Sequence, residues 1–267
     1  MKFLFGKQVF AIAALSSMVI MSCSKNDSSP GPGSTPTKKL VKIEEDDNST
    51  TTFSYNSDGT FQKITTADAD GEGNTMTFGY AASKLSTITN SDGSKITYTY
   101  QGDKISKADI VDAANNQVSY NQFAYQDGKV ASVTMHVNAA EEGDPEFVEY
   151  MKTAFTYYGN GDTKDMTISI LNPLTNQLEI SEKRTFEQYD TKTNPLAQLG
   201  EFSRVFLMDM SARNPLVEKS FDENGLLVET VTHEYTYDAA GYPLQVKSTI
   251  TPSTGTATIT TSKYFYN

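Results

Sequence analysis

The feature that most constrains this chain is a recurring pair of rings: an aromatic residue, any residue, then tyrosine. It stands at Phe53/Tyr55, Phe78/Tyr80, Tyr98/Tyr100, Phe123/Tyr125, Phe155/Tyr157, Tyr235/Tyr237 and Tyr264/Tyr266, with a longer version at Phe186/Tyr189. Residues two apart share one face of a strand, so each pair places two rings in the same layer. Several copies run into a glycine turn, such as Asp58-Gly59, Gly102-Asp103, Asp127-Gly128 and Asn160-Gly161, and a second apolar pair follows. The stretch Lys95 to Lys107 shows the whole unit. Ile96, Tyr98 and Tyr100 alternate with Lys95, Thr97 and Thr99, Gly102-Asp103 turns the chain, and Ile105 resumes the pattern. From Tyr55 to Tyr157 the tyrosines are spaced by 25, 20, 25 and 32 residues. That spacing holds two strands and two turns. It predicts an all-β antiparallel meander curved into a barrel-like sheet.

The rings read as core. A buried aromatic side chain contributes about 1.5–3 kcal/mol by area, and a cross-strand aromatic neighbour adds up to about 1 kcal/mol. A platform for stacking sugars would be local, whereas these pairs recur in nearly every unit.

Residues 189–215 break the pattern. Asn194-Pro195 suits a helix start, and Leu196, Leu199, Phe202, Val205 and Phe206 follow at helical spacing. One short helix near 196–209, closing or plugging one end of the sheet, is the expectation.

The N-terminus reads as an address. Lys2 and Lys7 precede an apolar run, Val9 to Met21, too short for a resident transmembrane helix. It closes in Ile20-Met21-Ser22-Cys23, which resembles the lipobox of bacterial lipoprotein signal peptides. The resemblance implies removal of residues 1–22 and a diacylglycerol on Cys23, the one cysteine of the chain. Residues 23–38 then form a lipid-anchored flexible linker rich in Pro, Gly and Ser, and 39–267 form a single β-repeat domain. Ser24-Lys25-Asn26-Asp27 resembles the surface-export signal of Bacteroidota lipoproteins, Lys followed by two acidic residues, with Asn26 as the departure. The expected location is the outer membrane, facing the cell exterior. Its lipid is a partner through acylated Cys23.

The net charge is −11, and loss of Lys2 and Lys7 leaves 20 basic against 33 acidic residues, net −13. Such acidity argues against nucleic acid or an anionic bilayer surface as a partner. Asp68, Asp70 and Glu72, with Gly73 after them, place oxygens at positions 1, 3 and 5 of a calcium-loop pattern. Position 12 is Gly79 rather than Glu, so an acidic hairpin loop is the plainer reading. His136 is expected to face solvent and His233 to be a hydrogen-bonded wall residue. No cofactor is expected, and neither metal nor catalytic residues are assigned. A membrane-spanning barrel would also alternate along its strands, but the strands read as nearer six residues than ten.

Three ordered motifs carry a wider resemblance: Tyr189-Asp190 through Asn194-Pro195, then Ser211-Ala212-Arg213-Asn214-Pro215, then Tyr235-Thr236-Tyr237-Asp238-Ala239-Ala240-Gly241-Tyr242-Pro243. The last resembles the YD repeat of RHS-type proteins. Together they are similar to an uncharacterised family of Bacteroidota lipoproteins with a porin-like β fold. Phe186-Glu187-Gln188-Tyr189 departs from the ring spacing. The resemblance implies a barrel in the cell envelope and no catalytic residues. The leading expectation is a non-catalytic module that binds a glycan or protein partner. The alternatives are an envelope glycan hydrolase using an Asp/Glu pair and a structural or assembly component.

Overall fold

In a computed structural model the chain forms one closed sheet of 16 antiparallel strands. The structure describes residues 38–140, 146–200, 202 and 211–267. The leader, Cys23, the linker and the acidic stretch 141–145 lie outside the described residues. Strands β1 to β4 are Leu40–Glu45, Thr50–Tyr55, Phe61–Ala67 and Gly73–Ala81. Strands β5 to β8 are Lys84–Asn90, Lys95–Gln101, Lys104–Val111 and Gln117–Gln126. Strands β9 to β12 are Lys129–Asn138, Phe147–Tyr157, Thr163–Asn172 and Gln177–Thr193. Strands β13 to β16 are Arg213–Phe221, Leu227–Tyr237, Pro243–Pro252 and Thr258–Tyr266. Each pairs with the next, and β16 returns to β1 with Tyr264 opposite Ile43.

The short strands expected from sequence hold only at the start. β1 and β2 have six residues each, β8 to β11 have ten or eleven, and β12 has 17. Inward-facing charges such as Glu182 and Arg184 interrupt the apolar alternation that marks a strand, so the later strands read as shorter than they are.

The turns after even-numbered strands, together with residues 38 and 267, lie at one rim. The turns after odd-numbered strands lie at the other, distal rim. The aromatic-x-Tyr pairs all end at the first rim, where they do a specific task. The β5–β6 ladder stops at Thr87 opposite Thr97, and β1–β2 stops at Lys42 opposite Thr52. Beyond those points tyrosine phenols bridge the strands. Tyr55 donates to the Leu40 carbonyl at 2.7 Å, Tyr100 to Leu85 at 2.8 Å, Tyr157 to Val130 at 2.6 Å and Tyr189 to Thr163 at 2.8 Å. A carbonyl left by the ladder thus gains a partner. Lysines cover the rings: Lys39 over Tyr55 at 5.0 Å, Lys84 over Tyr100 at 5.2 Å, Lys104 over Tyr125 at 4.6 Å and Lys129 over Tyr157 at 5.0 Å. The odd spacing of Phe186/Tyr189 is a β-bulge. Phe186 faces Glu218 and Gln188 faces Val217, so one extra residue is absorbed and Tyr189 still reaches its carbonyl.

The inner wall of β2 to β11 is mainly apolar, with Thr51, Asn121 and Thr153 buried among its apolar side chains. Phe53, Ile64, Phe78, Ile88, Ile96, Phe123, Val133, Phe155 and Met166 form one core with Leu196, Leu199 and Phe202. Those last three come from the long connection between β12 and β13, which enters the lumen. Phe202 packs edge-on against Phe78 at 5.5 Å and Tyr98 at 6.4 Å. The expected helix near 196–209 is corrected in its described part. A 3₁₀ turn, Pro195–Leu199, stands there, capped by Asn194 accepting from the Leu196 N–H at 3.0 Å. Gly200, at φ 67°, ends it after five residues. Residues 201 and 203–210 lie outside the described residues.

Candidate functional site

Residues directly opposite each other across a ladder share a face, so the register also sorts the polar residues. The outer wall carries Thr75, Thr77, Thr97, Thr99, Gln122, Thr232, Glu234, Thr236 and Lys247. The inner wall changes character at β12. From there to β1 it carries Glu182, Arg184, Glu218, Ser220, Glu229, His233, Ser248, Ser262 and Glu45. Arg184 and Glu182 pair with each other, and both keep about a third of their side-chain surface in solvent. The polar half of the lumen is therefore wetted from the distal rim.

Its deepest point is His233, 5% exposed. Its Nδ1 lies 2.9 Å from Ser248 Oγ and its Nε2 lies 3.1 Å from Glu218 Oε1. A carboxylate only accepts, which places the ring proton on Nε2 and leaves Nδ1 to accept from the Ser248 hydroxyl. His233 is thus the bonded wall residue that its alternation with Val231 and Tyr235 suggested. Tyr235 stands beside it, ring centroids 6.2 Å apart, and Tyr264 stands near Tyr235. Burial pushes both phenols up, the charge of Glu218 adding to this at Tyr235 and that of Glu45 at Tyr264. Burial also raises the Glu45 carboxyl, against the hydrogen bond from Ser262, with Asp47 and Asp46 adding to the rise.

The chain Ser248–His233–Glu218 has the composition of a nucleophile relay, but Ser248 is itself buried. Two glutamates stand diagonally across one ladder of this wall. Glu218 faces Val231, and Glu229 lies two residues further along the same strand. The backbones of such diagonal neighbours are about 7–8 Å apart, within the reach of two glutamate side chains. Neither relay nor pair was visible as a motif, because both are assembled across ladders. The readable signal was polar residues standing where β13 to β16 should point inward.

The other sequence candidates are placed as follows. Asp68 Oδ1 accepts from the N–H groups of Asp70 at 3.0 Å and Glu72 at 2.9 Å, so it closes its own hairpin turn. Asp112 and Asp222 do the same in other turns. Gly73 serves close packing: a Cβ there would stand 1.8 Å from the Thr66 carbonyl oxygen. No group of three or more His, Cys, Asp or Glu is placed to hold a metal among the described residues. His136 faces outward and stacks on Tyr120 at 4.4 Å, with Lys107 over Tyr120 at 4.4 Å.

The three ordered motifs fasten the entering connection. Asp190 accepts from Asn214 Nδ2 at 2.9 Å, from the Asn214 N–H at 3.2 Å and from the Tyr237 phenol. Ser211 Oγ accepts from the Thr163 N–H at 2.9 Å and donates to the Tyr189 phenol at 3.0 Å. Arg213 Nε donates to Asp162 at 2.7 Å, and that carboxylate is 1% exposed. Both ends of the connection are thereby pinned to the rim.

The two rims differ in charge. At the plugged rim Lys38, Lys39, Lys84, Lys104, Lys129, Lys192 and Arg213 stand among Asp58, Asp103, Asp127, Asp162, Asp190 and Asp238. The distal rim carries Glu44, Glu45, Asp46, Asp47, Asp68, Asp70, Glu72, Asp92, Asp112, Glu146, Glu179, Asp222 and Glu223, with Lys95 among them.

This architecture is that of a porin-like β-barrel. A porin-like protein from Bacteroides uniformis superposes with a TM-score of 0.57 at 18% identity, over 87% of this chain and 98% of that one. A porin-like protein from Bacteroides vulgatus does so with a TM-score of 0.58 at 10% identity, over 86% and 99%. At these identities the likeness shows the fold. No family model matches the chain, and no curated protein matches it.

Proposed function

We propose that this chain is a lipid-anchored binding module of the bacterial outer membrane, held by acylated Cys23 and facing the cell exterior. On this reading it belongs with the uncharacterised Bacteroidota lipoproteins that its motifs resemble. The observation that carries it is the sense of the barrel wall. A membrane-spanning barrel presents an apolar band outward and a polar interior. This barrel presents threonine, lysine and glutamate outward and fills β2 to β11 with an apolar core and a plug. Such a wall favours water on the outside, leaving the membrane to the lipid. The tether joins at the plugged rim, so the acidic distal rim and its polar half-lumen point away from the bilayer and supply the contact face.

Carbonate extraction of cells carrying Cys23→Ala tests this. Release of the protein is the expected result, and a variant that stays in the membrane overturns the reading. A thermal-shift screen of residues 38–267 against glycans then seeks the ligand. At 100 times its Kd a ligand stabilises by about 2.7 kcal/mol. The Glu218/Glu229 pair favours a second reading, a glycan hydrolase. Product release from the same glycans, lost in Glu229→Gln, would establish it.

A further inference from the structure

Against its otherwise polar outer wall, the distal rim carries an apolar collar over β12 to β16. Ile180, Phe221, Leu227 and Ile259 face outward near the distal ends of their strands. Leu174 and Leu226, in the turns beside them, are 93% and 65% exposed. Ile180 and Phe221 line a groove of about 470 Å3 under the turn Asp222 to Gly225. An exposed apolar patch on a polar surface marks a contact site.

Charge selects the occupant. Asp222 and Glu223 border the groove. Lys183, the cation in the lining, is engaged by Asp165 at 3.2 Å. A second copy would bring the same carboxylates against these, and an anionic bilayer would be repelled in the same way. We infer that the distal collar docks a protein partner whose contact segment carries apolar side chains flanked by lysine or arginine. This deepens the binding-module reading and rests on the distal rim facing outward.

The test uses residues 38–267, which the closed strand cycle and single core make a self-contained unit. The probe is a labelled synthetic peptide of alternating leucine and lysine, read by fluorescence anisotropy. Leucine–glutamate and all-lysine peptides of equal length are the controls. The leucine–lysine peptide is expected to bind in a saturable way and less tightly as salt rises. Leu226→Ser with Ile259→Ser should weaken it about tenfold or more. Glu223→Gln should weaken it as well. All these side chains are exposed, so the melts should stay in place. Equal binding by either control, or by the serine variant, overturns the inference. A dimer in sedimentation that the serine variant abolishes would give the collar to a second copy and overturn it too. Neither result touches the carbonate test, so failure of the partner class and failure of the anchored module are separable.

Discussion

The Tyr100 phenol donates to the Leu85 carbonyl at 2.8 Å, across a strand pair whose own ladder has already ended at Thr87 and Thr97. The side chain continues the sheet where the backbone does not. Tyr100→Phe removes that bond and leaves the carbonyl without its partner, at a cost of about 1 kcal/mol. Tyr98, two residues earlier, has a buried phenol oxygen with no partner among the described residues. Tyr98→Phe should therefore be neutral or stabilising. Urea unfolding of the two variants separates them, and equal losses would contradict the latch.

Asp190 gathers Tyr237 and Asn214 at the base of the entering connection. Asp190→Ala strands several donors at once and should cost about 3 kcal/mol. A double-mutant cycle with Asn214→Ala should show a coupling of about 0.5–3 kcal/mol. Additive losses would mean that the two do not act together.

Phe202 is 9% exposed and wedged between Phe78 and Tyr98. Phe202→Ala should cost about 3–5 kcal/mol by denaturant unfolding. A loss under 1 kcal/mol would show that the connection only rests on the lumen.

Glu45 has a carboxyl raised above its ordinary 4.5 by burial. In the pH window from 4.5 to that raised value the folded state holds a proton that the unfolded chain has released. Stability therefore falls as pH rises through the window. Glu45→Gln should raise the melting temperature at pH 7 relative to the parent, and the gain should shrink below pH 4. A gain independent of pH would rule out the carboxyl as its source.

Calcium should leave the melt where a chelator leaves it, because the Asp68 carboxylate is spent on the Asp70 and Glu72 N–H groups of its own turn. An upward shift with calcium would reopen the metal reading.

The fold was legible because Tyr98/Tyr100 and its relatives obey a period of two that only a strand satisfies. The closure of the cycle was not, since the Ile43–Tyr264 pairing joins strands from opposite ends of the chain. The helix near 196–209 misled because Leu196, Leu199 and Phe202 repeat at a spacing that both a helix and an inserted irregular segment can produce. The site was half legible. His233 declared its face by alternation, but Ser248 and Glu218 reach it across two ladders, and no local spacing records that. The bulge after Phe186 shows the same limit on a smaller scale, a departure from a motif that leaves the latch intact.

The backbone N–H of Asn267 donates to the Lys39 carbonyl at 3.1 Å. Chain entering β1 and chain leaving β16 therefore pass side by side through one rim. On the proposed anchoring, a reporter fused after residue 267 would sit beside the tether and close to the bilayer. One inserted into the distal turn 253–257 would stand at the opposite pole. The sheet could also be reopened at that turn, with 39 and 267 joined by a short linker, to give a permuted barrel whose tether, on the same proposal, would leave from the opposite rim.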